Sequence, residues 1–332
     1  MTAMRLWTIV FRRNAGRWLA PFLLLAVLHH WWRNRLDGVS LWPEASAQIA
    51  FGQALIAPAM LAVASWHARR ERQPGIDELA TTFTTPKYRT MLVAWSAAVI
   101  WGLIPFSVAG VLIGLVESRT ATWGGPDWRP IAAGAMAIFF ACALGWLLGT
   151  ILPSPFLPPV WAIAWWATDG YLSLQRAAIQ YFAPRSVYEN VVRSVFREPV
   201  PPVDLKQAAW FLGATAVSLA LAAAFLERTR RAAALTVILA LMMLPPTLML
   251  AATPANALGL SQLARPFTPV CTTGRITVCV HPAYQRILDD AAQTIEAVIA
   301  PVADIPGSPT QAQQAGGTSI DAHPENARIY AP

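Results

Sequence analysis

Long apolar runs separated by short polar segments dominate the chain. Seven such runs cover residues 17–32, 47–66, 91–116, 131–152, 158–171, 208–226 and 232–252. A hydrocarbon core about 30 Å thick needs about 20 mostly apolar residues per helix. The runs are continuous and rich in Ala and Leu, whereas the strands of membrane barrels alternate between apolar and polar residues. The pattern predicts an all-α integral membrane protein with about seven transmembrane helices.

The fifth run fits this prediction least well. Pro158 and Pro159 interrupt its start, and Asp169 lies near its end. A half-span over residues 158–171 is therefore an alternative to a full crossing. With a half-span, the number of full crossings falls to six, and the sides assigned to all later segments change.

The composition supports a membrane protein. Hydrophobic residues make up 55% of the 332 residues and charged residues only 13%, and the mean hydropathy is +0.43. Charged residues make up about 25% of an ordinary soluble domain. The net charge of +7 is spread over the segments that flank the runs. It predicts orientation in a lipid membrane and no nucleic-acid partner.

Basic residues indicate which polar segments face the cytoplasm, because Lys and Arg near span ends prefer that side. Four basic residues precede the apolar part of the first run, and five lie within residues 67–89. Only two basic residues lie within 33–46, and two lie within 117–130. The alternation places the N-terminus, with a retained signal anchor, and residues 67–89 in the cytoplasm. Seven crossings then place the C-terminal tail outside the cytoplasmic membrane, and a half-span at 158–171 would place it inside.

The composition changes after residue 252. This change divides the chain into a transmembrane permease-like domain over 1–252 and a tail over 253–332. The tail holds four basic and six acidic residues, and its last part is rich in Gly, Pro, Gln and Ala, which predicts a mobile end. Apolar residues at Ile287, Ala291, Ile295 and Ile299 have helical spacing. We expect a small extracytoplasmic appendage.

Cys271 and Cys279 bracket a short segment of the tail. Gly274 is placed for a turn, and alternating branched residues suit a strand, so the spacing predicts a disulfide-closed hairpin. Disulfides persist in oxidising compartments, which supports a tail outside the cytoplasm. The alternative is a metal site made by both cysteines and His281, although structural zinc needs a fourth ligand that the nearby sequence does not supply.

Motifs for several kinds of catalysis are missing from the sequence. A phosphate-binding loop ends in Gly-Lys followed by Ser or Thr, and neither Lys87 nor Lys206 follows a glycine. The paired histidines of zincin proteases are missing too. Apart from Asp169, the cores of the runs hold no charged residue, which disfavours a proton path. The chain is therefore predicted to hold no metal or cofactor of its own.

Two glycines in the fourth run, Gly145 and Gly149, are spaced four residues apart. Small residues at this spacing allow two membrane helices to approach closely. We expect this face to pack against another helix, either within the chain or in a dimer.

The polar segment 67–89 carries a pattern beyond its charge. In order along the chain it contains Arg70, Glu71, Arg72, Gly75, Glu78, Leu79 and Pro86. This order, after two apolar runs and before a third, resembles the cytoplasmic loop of the membrane (permease) subunits of type 2 ATP-binding-cassette (ABC) transporters. The similarity covers the loop well and the order of runs up to about residue 252 loosely. The seventh run and the tail depart from the six spans usual in that family.

The resemblance implies a coupling role for residues 67–89. In that family the loop contacts a separate ATPase subunit, which binds ATP and Mg and drives the spans between inward-facing and outward-facing states. Leu79 and Phe83, four residues apart, would present one apolar face of a short helix to a groove in that partner. A second permease subunit, identical or homologous, is implied as well. The alternative is a solvated loop whose arginines only fix orientation.

Three classes of function remain open from the sequence. The first is a subunit of an ATP-driven exporter that carries no enzyme activity itself. The second is a non-enzymatic membrane scaffold or sensor whose tail binds an extracellular partner. The third is a membrane-bound hydrolase that uses His281 with Asp289 and Asp290, although no nucleophile arrangement accompanies them. The resemblance favours the exporter subunit.

Overall fold

The computed structural model describes residues 3–34, 39–73, 86–175, 178–184, 195, 197–199, 203–227, 229–253, 262–264, 266–305 and 308–314. These residues are mostly helical. The helices of the membrane-type bundle are α1 (Ala3–Arg13), α2 (Gly16–Asn34), α3 (Trp42–Glu71), α4 (Lys87–Thr120), α5 (Trp128–Ile151), α6 (Leu157–Ser173), α7 (Val203–Glu227), α8 (Arg230–Met242) and α9 (Leu244–Ala251). A short 3₁₀ helix, Ala178–Phe182, follows α6.

Five helical segments among the described residues are long and apolar enough to cross a membrane. They are α3, α4, α5, α7 and the stretch formed by α8 and α9. Helices α2 and α6, with 19 and 17 residues, coincide with the first and fifth apolar runs but do not meet the same length and hydropathy criteria. The structure therefore agrees with a helical membrane protein and supports five of the seven predicted spans on these criteria.

Proline sets where several of these helices begin. Pro43 and Pro158 lie in the first turns of α3 and α6, where a backbone N–H has no partner within the helix. Pro86 directly precedes α4. Met243 separates α8 from α9, and Pro245 lies in the first turn of α9. These prolines thus mark the starts of α3, α4, α6 and α9.

Helix α3 forms the centre of the bundle. In its most apolar window 78% of the residues are buried, against 33% in α4 and 11% in the stretch of α8 and α9. The most extensive helix pair joins α3 to α5, and the next joins α5 to α7. Buried Met60, Ile138 and Trp146 belong to the same apolar core. Helices α8 and α9 therefore lie on the outside of a bundle built around α3 and α5.

Helix α1 packs along α4. The rings of Trp7 and Phe11 stack with centroids 4.9 Å apart, and Phe11 stacks on Trp101 at 4.6 Å. Trp101 Nε1 donates a hydrogen bond of 2.9 Å to the carbonyl oxygen of Phe11, and Trp7 Nε1 donates one of 3.2 Å to Ser96 Oγ. These contacts fix the N-terminal helix to the bundle through its aromatic side chains.

The bundle has two distinct ends, which we call the loop end and the tail end. The loop end contains the last turn of α3, the first turn of α4 and the junction of α7 with α8. There the backbone N–H of Tyr88 donates a hydrogen bond of 3.2 Å to Glu227 Oε1. The tail end contains residues 39–41 and 121–127, which meet in a backbone bridge between Leu41 and Trp123.

Short strands connect the tail to the rest of the chain. Strand β1 (Arg197–Pro199), in the connection between α6 and α7, pairs antiparallel with β2 (Gln262–Ala264) at the start of the tail. In the tail, β3 (Val270–Cys271) pairs antiparallel with β4 (Thr277–Val280), and β4 pairs in parallel with β5 (Gln311–Gln313). The predicted hairpin is thus present and forms two strands of a three-stranded sheet.

Helix α10 (Leu288–Ile299) covers this sheet. Its buried face consists of Leu288, Ala292, Ile295 and Ile299, which pack near Ile276, Val278 and Val280. Of the residues with predicted helical spacing, Ala291, Ile295 and Ile299 lie in α10. Ile287 instead ends the preceding 3₁₀ helix Pro282–Ile287 and packs in the cluster that contains Leu41 and Ala283.

Candidate functional site

The predicted coupling segment leaves the bundle at the loop end. Arg70 and Glu71 belong to the last turn of α3, and the backbone N–H of Arg72 donates to the carbonyl oxygen of Arg69 at 3.0 Å. Pro86 directly precedes α4. The other predicted coupling residues, Gly75, Glu78, Leu79 and Phe83, lie outside the described residues. Their contacts therefore stay predictions from the sequence.

Positive charge is concentrated around the start and end of this segment. Among the described residues of these segments at the loop end, only two are acidic, Glu71 and Glu227. Seven are basic: Arg69, Arg70, Arg72, Lys87, Arg89, Arg230 and Arg231. The segment also joins α3, the most buried helix, to α4. The segment therefore offers a basic surface to a binding protein, and the same chain continues directly into α3 at the centre of the bundle.

The tail end is covered by the tail itself. The ring of His281 lies 4.9 Å from that of Trp123 and 4.6 Å from that of Phe267. Thr122 Oγ1 donates a hydrogen bond of 3.1 Å to the carbonyl oxygen of Ala283. Val39, Leu41, Ala283 and Tyr284 belong to one apolar cluster at this junction. The tail therefore packs on the connections α2–α3 and α4–α5.

His281 is a packing residue at this junction. Its side chain is fully buried, and its Nδ1 accepts a hydrogen bond of 3.0 Å from the backbone N–H of Ala283. Asp289 and Asp290 lie in the first turn of α10 and are exposed. A buried imidazole with one nitrogen bonded to the backbone is poorly placed to act on a substrate, which weighs against the hydrolase alternative.

The predicted disulfide between Cys271 and Cys279 is present. The two residues are directly opposite each other in β3 and β4, with Cα atoms 4.0 Å apart. Because both sulfur atoms form this bond, neither is a metal ligand in this structure. The remaining cysteine, Cys142, is buried in α5.

Gly145 and Gly149 contact α3 of the same chain. A Cβ atom added to Gly145 would overlap the carbonyl oxygen of Leu61, and one added to Gly149 would overlap that of Ser65. The face predicted for close helix contact is therefore used inside the protein, where it brings the backbones of α3 and α5 together.

Buried carboxylates at the tail end were missed by the sequence analysis. Glu117 is 3% exposed and Asp204 is 4% exposed, as buried as Asp169 at 5%. Ser40 Oγ donates a hydrogen bond to Glu117 Oε2. Glu117 follows the third apolar run directly and was therefore assigned to a loop. Its burial depends on residues 39–41, which come from a distant part of the sequence.

Two titratable groups at the tail end, Asp127 and Tyr284, have shifted pKa values. Burial acts to raise the pKa of Asp127, but hydrogen bonds and the charge of Arg129 outweigh it and hold that pKa below its usual value. The Oδ1 atom of Asp127 also accepts from the backbone N–H of Arg129 at 3.1 Å, which caps the start of α5. Burial, together with the negative charge of Glu44, raises the pKa of Tyr284.

A cavity of about 350 Å³ lies between α5, α6 and α7. Its walls include Phe140 and Leu144 of α5, Trp161 and Trp165 of α6, and Trp210 of α7. Phe182 of the 3₁₀ helix also lines it, with its ring 5.2 Å from that of Trp210. We call this space the α6 cavity.

These features define a helical protein with five candidate membrane spans and a disulfide-bonded C-terminal module. In the described part of the chain, no group of three or more His, Cys, Asp or Glu residues could hold a metal ion. No family model, curated protein or solved structure matches the chain.

Proposed function

We propose that this chain is the membrane-spanning subunit of an ATP-driven exporter of the type 2 ABC class. The observation that carries the proposal is the position of the two described ends of segment 67–89, namely residues 67–73 and 86–89. The segment resembles the coupling loop of that class and leaves the bundle at its basic end. It also connects directly to α3 and α4. ATP and Mg bind a separate ATPase subunit, and this chain has no enzyme activity or cofactor of its own.

The packing of α3 supports a coupling role. Because α3 is the most buried helix and contacts α5 over the longest interface, a movement of its loop end is transmitted to the centre of the bundle. The partner docks on Leu79 and Phe83, whose spacing of four residues puts both side chains on one face of a helix. Arg70, Glu71 and Arg72 form a charged rim beside that face.

We further propose seven crossings of the cytoplasmic membrane, with the loop end in the cytoplasm and the tail outside. Two observations support this orientation. Basic residues cluster at the loop end, and the tail contains a disulfide, which persists in oxidising compartments. The 17 residues of α6 are about 26 Å long at 1.5 Å per residue, close to the thickness of the hydrocarbon core.

The proposed assembly contains two membrane subunits and two ATPase subunits. Two ATPase subunits need two coupling segments, so a second permease chain, identical or homologous, accompanies this one. The transported substrate then passes between the two membrane subunits.

Affinity purification from the native host in mild detergent tests the proposal. We expect a chain with a phosphate-binding loop to co-purify with the wild-type protein. Leu79→Asp with Phe83→Asp places two charges on the docking face and should reduce the yield of that ATPase at least tenfold. The shifted pair Ala80→Asp with Thr84→Asp adds the same charge one residue further along and serves as the matched control.

Two outcomes contradict the proposal. The first is a wild-type preparation, folded by size-exclusion chromatography, that brings down no ATPase. That result would favour the scaffold or sensor alternative. The second is equal ATPase recovery with the Leu79 and Phe83 variant and with the shifted control.

A further inference from the structure

The α6 cavity lies beside two of the candidate membrane spans. Leu61, Leu144 and Leu148 line it and belong to α3 and α5, two of the candidate spans. Ala164 and Thr168 line it from α6 and are exposed, so the cavity opens sideways along that helix. In a membrane, this opening faces the hydrocarbon of the bilayer.

The chemistry of the walls excludes water as the main occupant. Phe140, Trp161, Trp165 and Trp210 supply aromatic ring faces, and most of the remaining lining is Leu and Ala. A buried water needs two to four polar partners, and large apolar cavities stay dry and take up apolar ligands instead. A volume of about 350 Å³ therefore needs an apolar occupant.

The cavity is elongated along α6. Its lining extends along α6 from Trp161 to Leu172, which is about 16 Å at 1.5 Å per residue. A single extended hydrocarbon chain matches an apolar space of this length.

The two ends of the cavity differ in polarity. Leu148 and Trp161 lie at the end nearer the start of α6, and the opposite end contains Asp169 and Pro184. That polar end lies near the start of α7, where Gln207 Nε2 donates to the carbonyl oxygen of Ala183 at 2.8 Å. A lipid with its head group on the tail side would therefore extend its chain towards the loop end.

We infer that the α6 cavity binds one acyl chain of a bilayer phospholipid, which enters sideways between α6 and α7 from the leaflet on the tail side. The inference concerns this chain in a lipid bilayer and does not depend on an ATPase partner.

Photo-crosslinking tests this site. The purified protein is reconstituted in phosphatidylcholine vesicles containing a phosphatidylcholine with a diazirine on one acyl chain. After illumination, mass spectrometry locates the adducts. We expect several-fold more adducts on the peptides carrying Leu144, Leu148 and Ala164 than on the exposed Val237 and Leu241 of α8.

Substitutions on α6 separate site binding from general contact with lipid. Ala164→Trp fills the cavity and should lower those adducts several-fold, and Ala164→Leu should lower them less. Ala167 is exposed on the same helix but does not line the cavity, so Ala167→Trp should leave the adducts unchanged. Uniform labelling of α6 and α8 in the wild-type protein would overturn the inference, whatever the stability of the variants. Unchanged labelling in a folded Ala164→Trp protein would overturn it as well.

Discussion

The interface between α3 and α5 and the α6 cavity lie side by side and are packed in opposite ways. At the interface, glycines let two backbones touch, and an added methyl group would overlap the carbonyl oxygens of Leu61 and Ser65. At the cavity, large aromatic side chains leave about 350 Å³ open along α6. Leu61 lies at both, since it contacts Gly145 and also lines the cavity.

The difference shows which helices are held by close packing and which helix has free volume beside it. Helices α3 and α5 cannot slide or separate without losing close backbone contact, and the tail covers their neighbouring connections. Helix α6 has free volume beside it. We expect substitutions at the interface to cost stability and substitutions that fill the cavity to cost little.

Gly145→Ala should have the largest effect. Its methyl group would overlap the backbone of α3, which cannot move aside as a flexible side chain can. We expect the free energy of unfolding to fall by about 3 kcal/mol, measured by titration of detergent-solubilised protein with a denaturing detergent.

Gly114→Ala is the matched control for that substitution. Gly114 also lies inside a long apolar helix, but an added Cβ would have no heavy atom within 4 Å apart from its chain neighbours and the nearby backbone of its own helix. The change should leave stability equal or raise it by about 0.5–1 kcal/mol, because alanine favours a helix over glycine. If Gly114→Ala and Gly145→Ala lowered the free energy of unfolding equally, the close backbone contact between α3 and α5 would not explain the effect at Gly145.

Removal of the disulfide should have the next largest effect, confined to the tail. Cys271→Ser with Cys279→Ser opens a loop with a sequence separation of 8, and closing a loop of this size stabilises by about 2–3 kcal/mol. We expect faster proteolysis of the tail, with the unfolding of the bundle unchanged. A loss of bundle stability equal to that of Gly145→Ala would contradict this separation.

Asp127→Ala should destabilise the first turn of α5, at the edge of the α3–α5 interface. The carboxylate caps the helix by accepting from the backbone N–H of Arg129. Loss of such a cap lowers the free energy of unfolding by about 1 kcal/mol. Asp127→Asn, whose side-chain oxygen can still accept this bond, should retain most of the stability in the same titration.

Acid should produce the smallest effect. The pKa of Asp127 is lower in the folded protein than its usual value. Its contribution is therefore complete above the unfolded pKa of about 3.9 and is lost as the pH falls through the folded pKa. Between pH 5 and pH 3, the wild-type protein should lose more stability than Asp127→Asn. Identical pH profiles would show that this ion pair contributes nothing.

The sequence predicts the helices of the bundle well, because each apolar run is a local feature of the chain. The disulfide and its hairpin were also predictable, since Gly274 and the two cysteines lie within nine residues of one another. The use of Gly145 and Gly149 within the chain was not predictable, because their spacing fits contact with a second copy equally well.

Features that depend on distant segments escaped the sequence analysis. The sequence places Glu117 in a loop, and its burial depends on contact with residues 39–41 from a distant part of the chain. The α6 cavity requires the relative positions of four helices, α3, α5, α6 and α7, and no local pattern gives these. The sequence offered His281 only as an alternative metal ligand or catalytic residue, and its packing against Trp123, from another segment, has no local signal.

Labelling from the two sides of the membrane tests the central claim most directly, namely that the loop end and the tail lie on opposite sides. In a Cys142→Ala background, Gln73→Cys marks the loop end and Ser308→Cys marks the tail. With a membrane-impermeant maleimide on intact cells, the cysteine at position 308 should react, and the one at 73 should react only after the cells are opened. Reaction of both cysteines in intact cells, or of the one at position 73 alone, would contradict the account.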